Sequence, residues 1–137
     1  MSDSLHRSWC FTLFGLTKDN WKESISAVPV NVNCAFLVCQ LESTQAERLH
    51  VQGYVYFKNA RSMSSVKKDF GGLLPHLEPA KGSVEDNVKY CTKLESRVEG
   101  THPKWFCRTR AMVYYIELFD FSLFTCPCGC IEIPLTI

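Results

Sequence analysis

The stretch His50-Val-Gln-Gly-Tyr-Val-Tyr-Phe57 alternates without a break. His50, Gln52, Tyr54 and Tyr56 fall on one set of positions, Val51, Gly53, Val55 and Phe57 on the other. A period of two is the signature of a β-strand, whose successive side chains point to opposite faces. The apolar set belongs against helices. The polar and aromatic set faces solvent or a ligand, and Tyr54 and Tyr56 there are suited to stacking on unpaired bases, a contact worth ~1–3 kcal/mol per base.

Upstream, Ala35 to Glu42 reads as a second strand, and the polar residues Ser43 to Arg48 predict an antiparallel hairpin. Gln40 and Glu42 alternate with Cys39 and Leu41. Closing the hairpin brings Glu42 beside His50. A carboxylate, an imidazole and the Gln52 amide oxygen then converge, a donor set that suits Mg²⁺ or Mn²⁺ better than a thiolate-seeking metal. The same spacing also fits a solvated hairpin with scattered polar residues.

The flanks complete an α+β domain. Trp9 to Phe14 predicts a first strand, and Thr17 caps a short helix whose inner face is Trp21 and Ile25. Ser62 caps another, with Met63, Val66 and Phe70 inward and Gly71-Gly72 at its end. Prolines bracket Pro75 to Pro79, which allows only a short edge strand. Ser83-Val-Glu-Asp86 fits a capping box opening a helix to about Leu94. Trp105 to Arg110 supplies one more strand. Four or five short strands with two or three helices between them predict an antiparallel sheet with helices packed on one face.

Along the last helix, Val84, Val88 and Cys91 form an apolar stripe. Tyr90 and Lys93 lie off that stripe and, three apart, neighbour each other. A tyrosine placed so is either solvated or reactive. Phenols ionise near pH 10 and are poor nucleophiles at neutral pH. A metal on a phosphodiester withdraws charge from it. A nearby ammonium favours phenolate or neutralises the phosphate. Tyrosine attack then conserves the bond energy in a phosphotyrosine link.

The 137 residues suit one compact domain, and 46% hydrophobic content is enough for a core. A net charge of +1 argues neither for nor against a polyanionic partner. Between Lys58 and Arg97, eight basic residues (Lys58, Arg61, Lys67, Lys68, Lys81, Lys89, Lys93 and Arg97) outnumber five acids. They would form a phosphate-tracking strip if they share a face. His76 and His102 read as ordinary surface or edge residues. The eight cysteines come without a leader-like apolar run at the N-terminus, so they read as reduced thiols of a cytosolic or nuclear protein. No stretch reaches the ~18 apolar residues of a membrane helix. Ala111 to Thr125 is broken by Glu117 and Asp120.

Three ordered motifs then carry a resemblance: Trp9-Cys-Phe-Thr-Leu13; Gln40-Leu-Glu42 with His50-Val-Gln-Gly-Tyr54; and Tyr90-Cys-Thr-Lys93. Over residues 8 to 100 the chain resembles the HUH-type replication initiators (Rep) of circular single-stranded DNA viruses, those of nanoviruses and alphasatellites first and circoviruses next. The resemblance implies a five-stranded antiparallel sheet of RNA-recognition-type topology. It implies a metal-dependent endonuclease that nicks and rejoins origin DNA at a stem-loop. Glu42, His50 and Gln52 would hold Mg²⁺ or Mn²⁺, with glutamine in place of the second histidine. Tyr90 would form a covalent 5′-phosphotyrosine, and Lys93 would assist positioning or charge balance. Origin DNA, other copies of the chain and host replication factors would be partners, the host nucleus the location.

The chain departs from that family's pattern in two places. Phe14 and Gly15 stand where two asparagines are usual, which puts DNA recognition in question more than cleavage. No G-x-x-x-x-G-K-[ST] loop of a helicase occurs. Residues 1–105 therefore read as the endonuclease domain and 106–137 as a divergent apolar tail. Its Cys126-Pro-Cys-Gly-Cys130 lacks the C-x₂-C spacing suited to zinc. Two other readings stay open: a truncated, inactive Rep, and a nucleic-acid-binding module without catalysis.

Overall fold

A computed structural model describes residues 4–26, 28, 33–46, 48–108 and 131–132. In chain order the elements are β1 (His6–Phe14), α1 (Trp21–Ile25), β2 (Cys34–Ser43), β3 (Leu49–Arg61), α2 (Met63–Asp69), β4 (His76–Pro79), α3 (Val84–Cys91), β5 (Lys104–Cys107) and β6 (Ile131–Glu132). The strands form one sheet in the order β4-β1-β3-β2-β5-β6. The first five pair antiparallel, as the alternation and hairpin predicted. The two residues of β6 add to β5 in parallel, opposite Trp105 and Phe106. Of the tail read from the sequence as 106–137, Phe106 and Cys107 belong to β5, while 109–130 and 133–137, with Cys126, Cys128 and Cys130, lie outside the described residues.

Local chemistry explains the elements. The β2–β3 turn is closed by Thr44, whose N–H donates to Arg48 O (3.1 Å) and whose hydroxyl accepts from Arg48 N–H (3.2 Å). Ser62 caps α2 by accepting from Ser65 N–H. At the start of α3, Ser83 and Asp86 cap each other's backbone N–H reciprocally. β4 is an edge strand ending on Pro79, whose missing N–H costs the ladder little there. The α1 expectation shifts slightly: Asn20, not Thr17, is the residue before the helix, and Asn20 Oδ1 accepts from Thr17 N–H at 2.8 Å.

Each face of the sheet carries a buried cluster, the second covering part of its face, which refines the expectation of helices on one face. Trp9, Phe11, Leu13, Leu37, Leu41, Val51 and Val55 point to one side, where Trp21 and Ile25 of α1 and Val66 of α2 complete the core. On the other side Phe36, Val38, Tyr54 and Trp105 pack against Val88 and Cys91 of α3. The cause lies in composition: β2 and β5 are apolar at successive positions rather than alternately, as strands covered on both faces are. α3 packs mainly on β2 and β3 and also touches β1, where Asn87 meets Cys10. The cysteines described (10, 34, 39, 91 and 107) are free thiols. Among the described residues no helix is long and apolar enough to cross a membrane.

One close approach sets the β1–β3 spacing. Phe11 lies opposite Gly53 and its ring lies where a Cβ on residue 53 would be, while the same ring meets Phe70 at a centroid distance of 4.9 Å. Glycine is the residue that leaves this space open. Gly53→Ala should overpack the core and destabilise the fold by about 1–3 kcal/mol. A urea-denaturation midpoint that does not move would show that the ring yields freely.

Candidate active site

The β2–β3 register places the polar residues in two cross-strand rows. Phe14, His50 and Glu42 lie side by side on β1, β3 and β2, and Thr12, Gln52 and Gln40 form the next row. A one-residue slip would send both rows to the opposite face. All six share the face that α3 covers in part.

Glu42 is the centre of the arrangement and is 3% exposed. Its Oε1 accepts from Lys93 Nζ at 3.2 Å and stands 3.3 Å from His50 Nε2. Its Oε2 accepts from Lys93 Nζ at 3.0 Å and from Gln40 Nε2 at 2.8 Å. Gln40, fully buried, also donates from Nε2 to Lys93 O (2.9 Å) and accepts at Oε1 from Arg97 Nε (2.8 Å). Arg97 in turn donates to Thr92 O at 2.6 Å. The segment after α3 is thus strapped along β2, where Val98 N–H donates to Leu41 O and Ser43 N–H to Ser96 O.

α3 presents Tyr90 to this site. Val88 and Cys91 are buried beneath the helix and Tyr90 stands 54% exposed. Asn87, largely buried, ties the helix start down by donating to Lys81 O and Ser83 O, each at 2.8 Å, and accepts from the Cys10 thiol at 3.3 Å. Lys93 Nζ lies 3.8 Å from the centroid of the Tyr90 ring. One ammonium therefore touches both the phenol ring and the Glu42 carboxylate, although Glu42 and Lys93 are 51 residues apart in sequence.

The donors suit a hard divalent cation. Cis ligands of an octahedral ion held at ~2.1 Å stand ~3 Å apart. Glu42 Oε1 and His50 Nε2 are separated by 3.3 Å. His50 Nδ1 is buried and has no hydrogen-bond partner. Gln52 Oε1 accepts from Thr12 Oγ1 at 3.3 Å and keeps a second lone pair. No group of three His, Cys, Asp or Glu gathers among the described residues; Glu42 and His50 would need the Gln52 amide as third ligand. Among the described residues the thiols near the site are held protonated by burial. Burial pushes Cys39 up to about 12, raises Cys91 well above the ordinary thiol range, and, with Glu78, raises Cys10 beside Asn87.

Several expected surface roles give way to packing. Tyr54 is 1% exposed beneath α3 and cannot stack on a base, because β3 is covered there. Tyr56 is half-buried, with the Arg7 guanidinium 5.1 Å from its ring centroid. The eight basic residues do not form one strip. Arg61 pairs with Asp69 at 2.8 Å, Arg97 serves Gln40, Lys93 serves Glu42, and Lys67 and Lys68 ride on α2 across the sheet from α3. His76 is exposed beside Glu78, whereas His102 Nδ1 is buried without a partner. Gln40, Thr12 and Arg97 had no assigned place in the site. The alternation put Gln40 on the face of Glu42, but nothing in the chain's local pattern marks Arg97 as its partner.

Arg97→Met should leave Gln40 Oε1 buried without its donor and cost about 1–3 kcal/mol. Unfolding in urea reads this directly. Unchanged stability would mean that the Gln40–Arg97 contact contributes nothing to holding the strap.

The sequence model of the Viral_Rep family, viral replication proteins, matches residues 6–94, which span β1 to just past α3. The chain is 40% identical over 89 residues to the replication-associated protein of Beak and feather disease virus, covering 64% of this chain and 29% of that protein. It is 42% identical over 65 residues to the master replication protein of Banana bunchy top virus, covering 47% of this chain and 22% of the relative. It is 34% identical over 93 residues to Para-Rep C9 of the Faba bean necrotic yellows C9 alphasatellite, covering 68% and 30% respectively. The chain spans less than a third of the length of these relatives. With the motif-bearing strands and α3 all inside the matched region, the chain belongs to the Viral_Rep family of viral replication proteins.

Proposed function

We propose that this chain nicks and rejoins single-stranded viral origin DNA at a stem-loop to initiate rolling-circle replication, with Tyr90 as nucleophile. The observation that carries the reading is the Lys93 ammonium lying against both the Tyr90 ring and the Glu42 carboxylate. Through Lys93, the exposed Tyr90 ring and the Glu42 carboxylate share one neighbour, which supports reading them as parts of one site. The relatives' names, replication-associated and master replication protein, agree with the biological role.

In the forward step Tyr90 Oη attacks the scissile phosphorus. The P–O3′ bond breaks, the 3′-oxygen leaves and takes up a proton, and the 5′-phosphate of the downstream strand becomes esterified to Tyr90. Rejoining is the reverse, a 3′-hydroxyl attacking the phosphotyrosine and returning the proton to the phenol oxygen. Glu42, His50 and Gln52 would hold Mg²⁺ or Mn²⁺. Such an ion, when bound, would offset the negative charge that builds on the phosphate oxygens. Lys93 orients the Tyr90 ring from one side and adds positive field near the phosphate. Gln40 aims the Glu42 carboxylate. The same reading gives the protein origin DNA, other copies of itself and host replication factors as partners, in the host nucleus.

The test is incubation with Mn²⁺ and a stem-loop oligonucleotide of circovirus or nanovirus origin type, labelled at its 3′ end and resolved on denaturing gels. A labelled covalent adduct is expected, absent in Tyr90→Phe while DNA binding is retained. Glu42→Ala and His50→Ala should lower cleavage by more than about 100-fold with far less effect on binding, since they remove ligands rather than outer contacts. An adduct that survives Tyr90→Phe would overturn the assignment of the nucleophile. Binding without any adduct would leave a nucleic-acid-binding module or an inactive Rep.

A further inference from the structure

Among the described residues, the exposed large aromatics are Phe14 (47% exposed) and Tyr90 (54% exposed). Both lie on the face that carries Glu42 and His50, and they stand at opposite ends of one chain of contacts. The Phe14 ring is 5.8 Å from the His50 ring, His50 Nε2 is 3.3 Å from Glu42 Oε1, and Lys93 links Glu42 to Tyr90. Phe14 belongs to neither buried cluster, so it contributes nothing to the core. It is nevertheless held in place. The guanidinium of exposed Arg48 lies 4.2 Å from its ring centroid, and Gly15, at φ +87°, turns the chain away immediately after it.

We propose that Phe14, braced by Arg48, is the stacking platform for an unpaired base of the DNA strand, the base of a nucleotide next to the phosphate presented to Glu42 and His50. Every base has a π-face, so such a contact tolerates any sequence and fixes position rather than identity. Arg48 has two uses there. Its plane holds the ring from one side, and its exposed charge is suited to a backbone phosphate. The sheet's tyrosines do not compete, because Tyr54 is buried and Tyr56 half-buried. The inference rests on the nicking reading for its substrate, but it concerns binding and can be tested without cleavage.

Binding of a short fluorescein-labelled oligothymidine is measured by anisotropy in EDTA over a range of salt. Phe14→Leu keeps the apolar bulk and removes the ring. It should weaken binding about 5- to 150-fold, the loss expected for one base–aromatic stack, with the salt dependence unchanged. Arg48→Ala should instead flatten the logarithmic salt slope by about 0.7, the value of one phosphate contact on a single strand. Phe14→Trp should bind like the native chain and carry its own signal. The native tryptophans Trp9, Trp21 and Trp105 are buried, so the introduced indole is the exposed one, and a stacked base should quench its emission. Equal affinity of Phe14→Leu and the native chain, or no quenching in Phe14→Trp, overturns the platform. So does a native chain that forms the Tyr90 adduct but does not bind oligothymidine; in each of these cases a Tyr90-dependent adduct leaves the nicking reading standing. If the native chain neither binds nor forms an adduct, both fall together.

Discussion

A carboxylate taken out of water loses hydration worth several kcal/mol, which partners in the protein must replace. Glu42 is such a group. At 3% exposure it is compensated by the Lys93 ammonium, by the Gln40 amide and by His50. These contacts tie three pieces of chain to one point: β2, β3 and the strap that follows α3. Lys93 is itself partly exposed, with 27% of its side chain accessible, so solvent screens its attraction. The neutral Gln40 contacts, fully buried, are not weakened in that way. The position of Tyr90 follows from this pinning, since the ammonium that neutralises Glu42 also lies on the phenol ring.

The sheet divides its faces between stability and chemistry. The face under α1 and α2 is a continuous apolar core, with three of its members (Trp9, Phe11 and Leu13) on β1 alone. The opposite face is split. Toward β5 it is a second core, where Phe36, Tyr54 and Trp105 meet edge to face beneath α3. Toward the β2–β3 turn the buried apolar residues give way to Glu42, His50 and Gln52, with the exposed ring of Phe14 beside them. The eight residues of α3 cover Tyr54 with Val88 and Cys91, and it is Lys93, past the helix end, that meets Glu42.

Much of this was legible in the chain. The alternation in His50 to Phe57 assigned each residue of β3 to its face, and the face assignments hold throughout the strand. Ser83 and Asp86 announced the start of α3, and the prolines around His76 announced an edge strand. What was not legible concerns occupants, not faces. The alternation put Tyr54 on the polar face, and α3 turned that position into core. The basic residues between Lys58 and Arg97 read as one group, but α2 and α3 lie on opposite sides of the sheet and separate them.

The sequence by itself determined the five antiparallel strands, the caps of α2 and α3, the β2–β3 hairpin and the side of the sheet on which Glu42, His50 and Gln52 emerge. These follow from interactions between residues two to eight apart, whose geometry the backbone dictates locally. Only the tertiary structure decided that α3 crosses to that side, that Lys93 joins Tyr90 to Glu42, and that Arg97 reaches Gln40 across 57 residues. Such contacts depend on how whole elements dock, and docking is settled by the summed burial of apolar surface, which no local pattern reports.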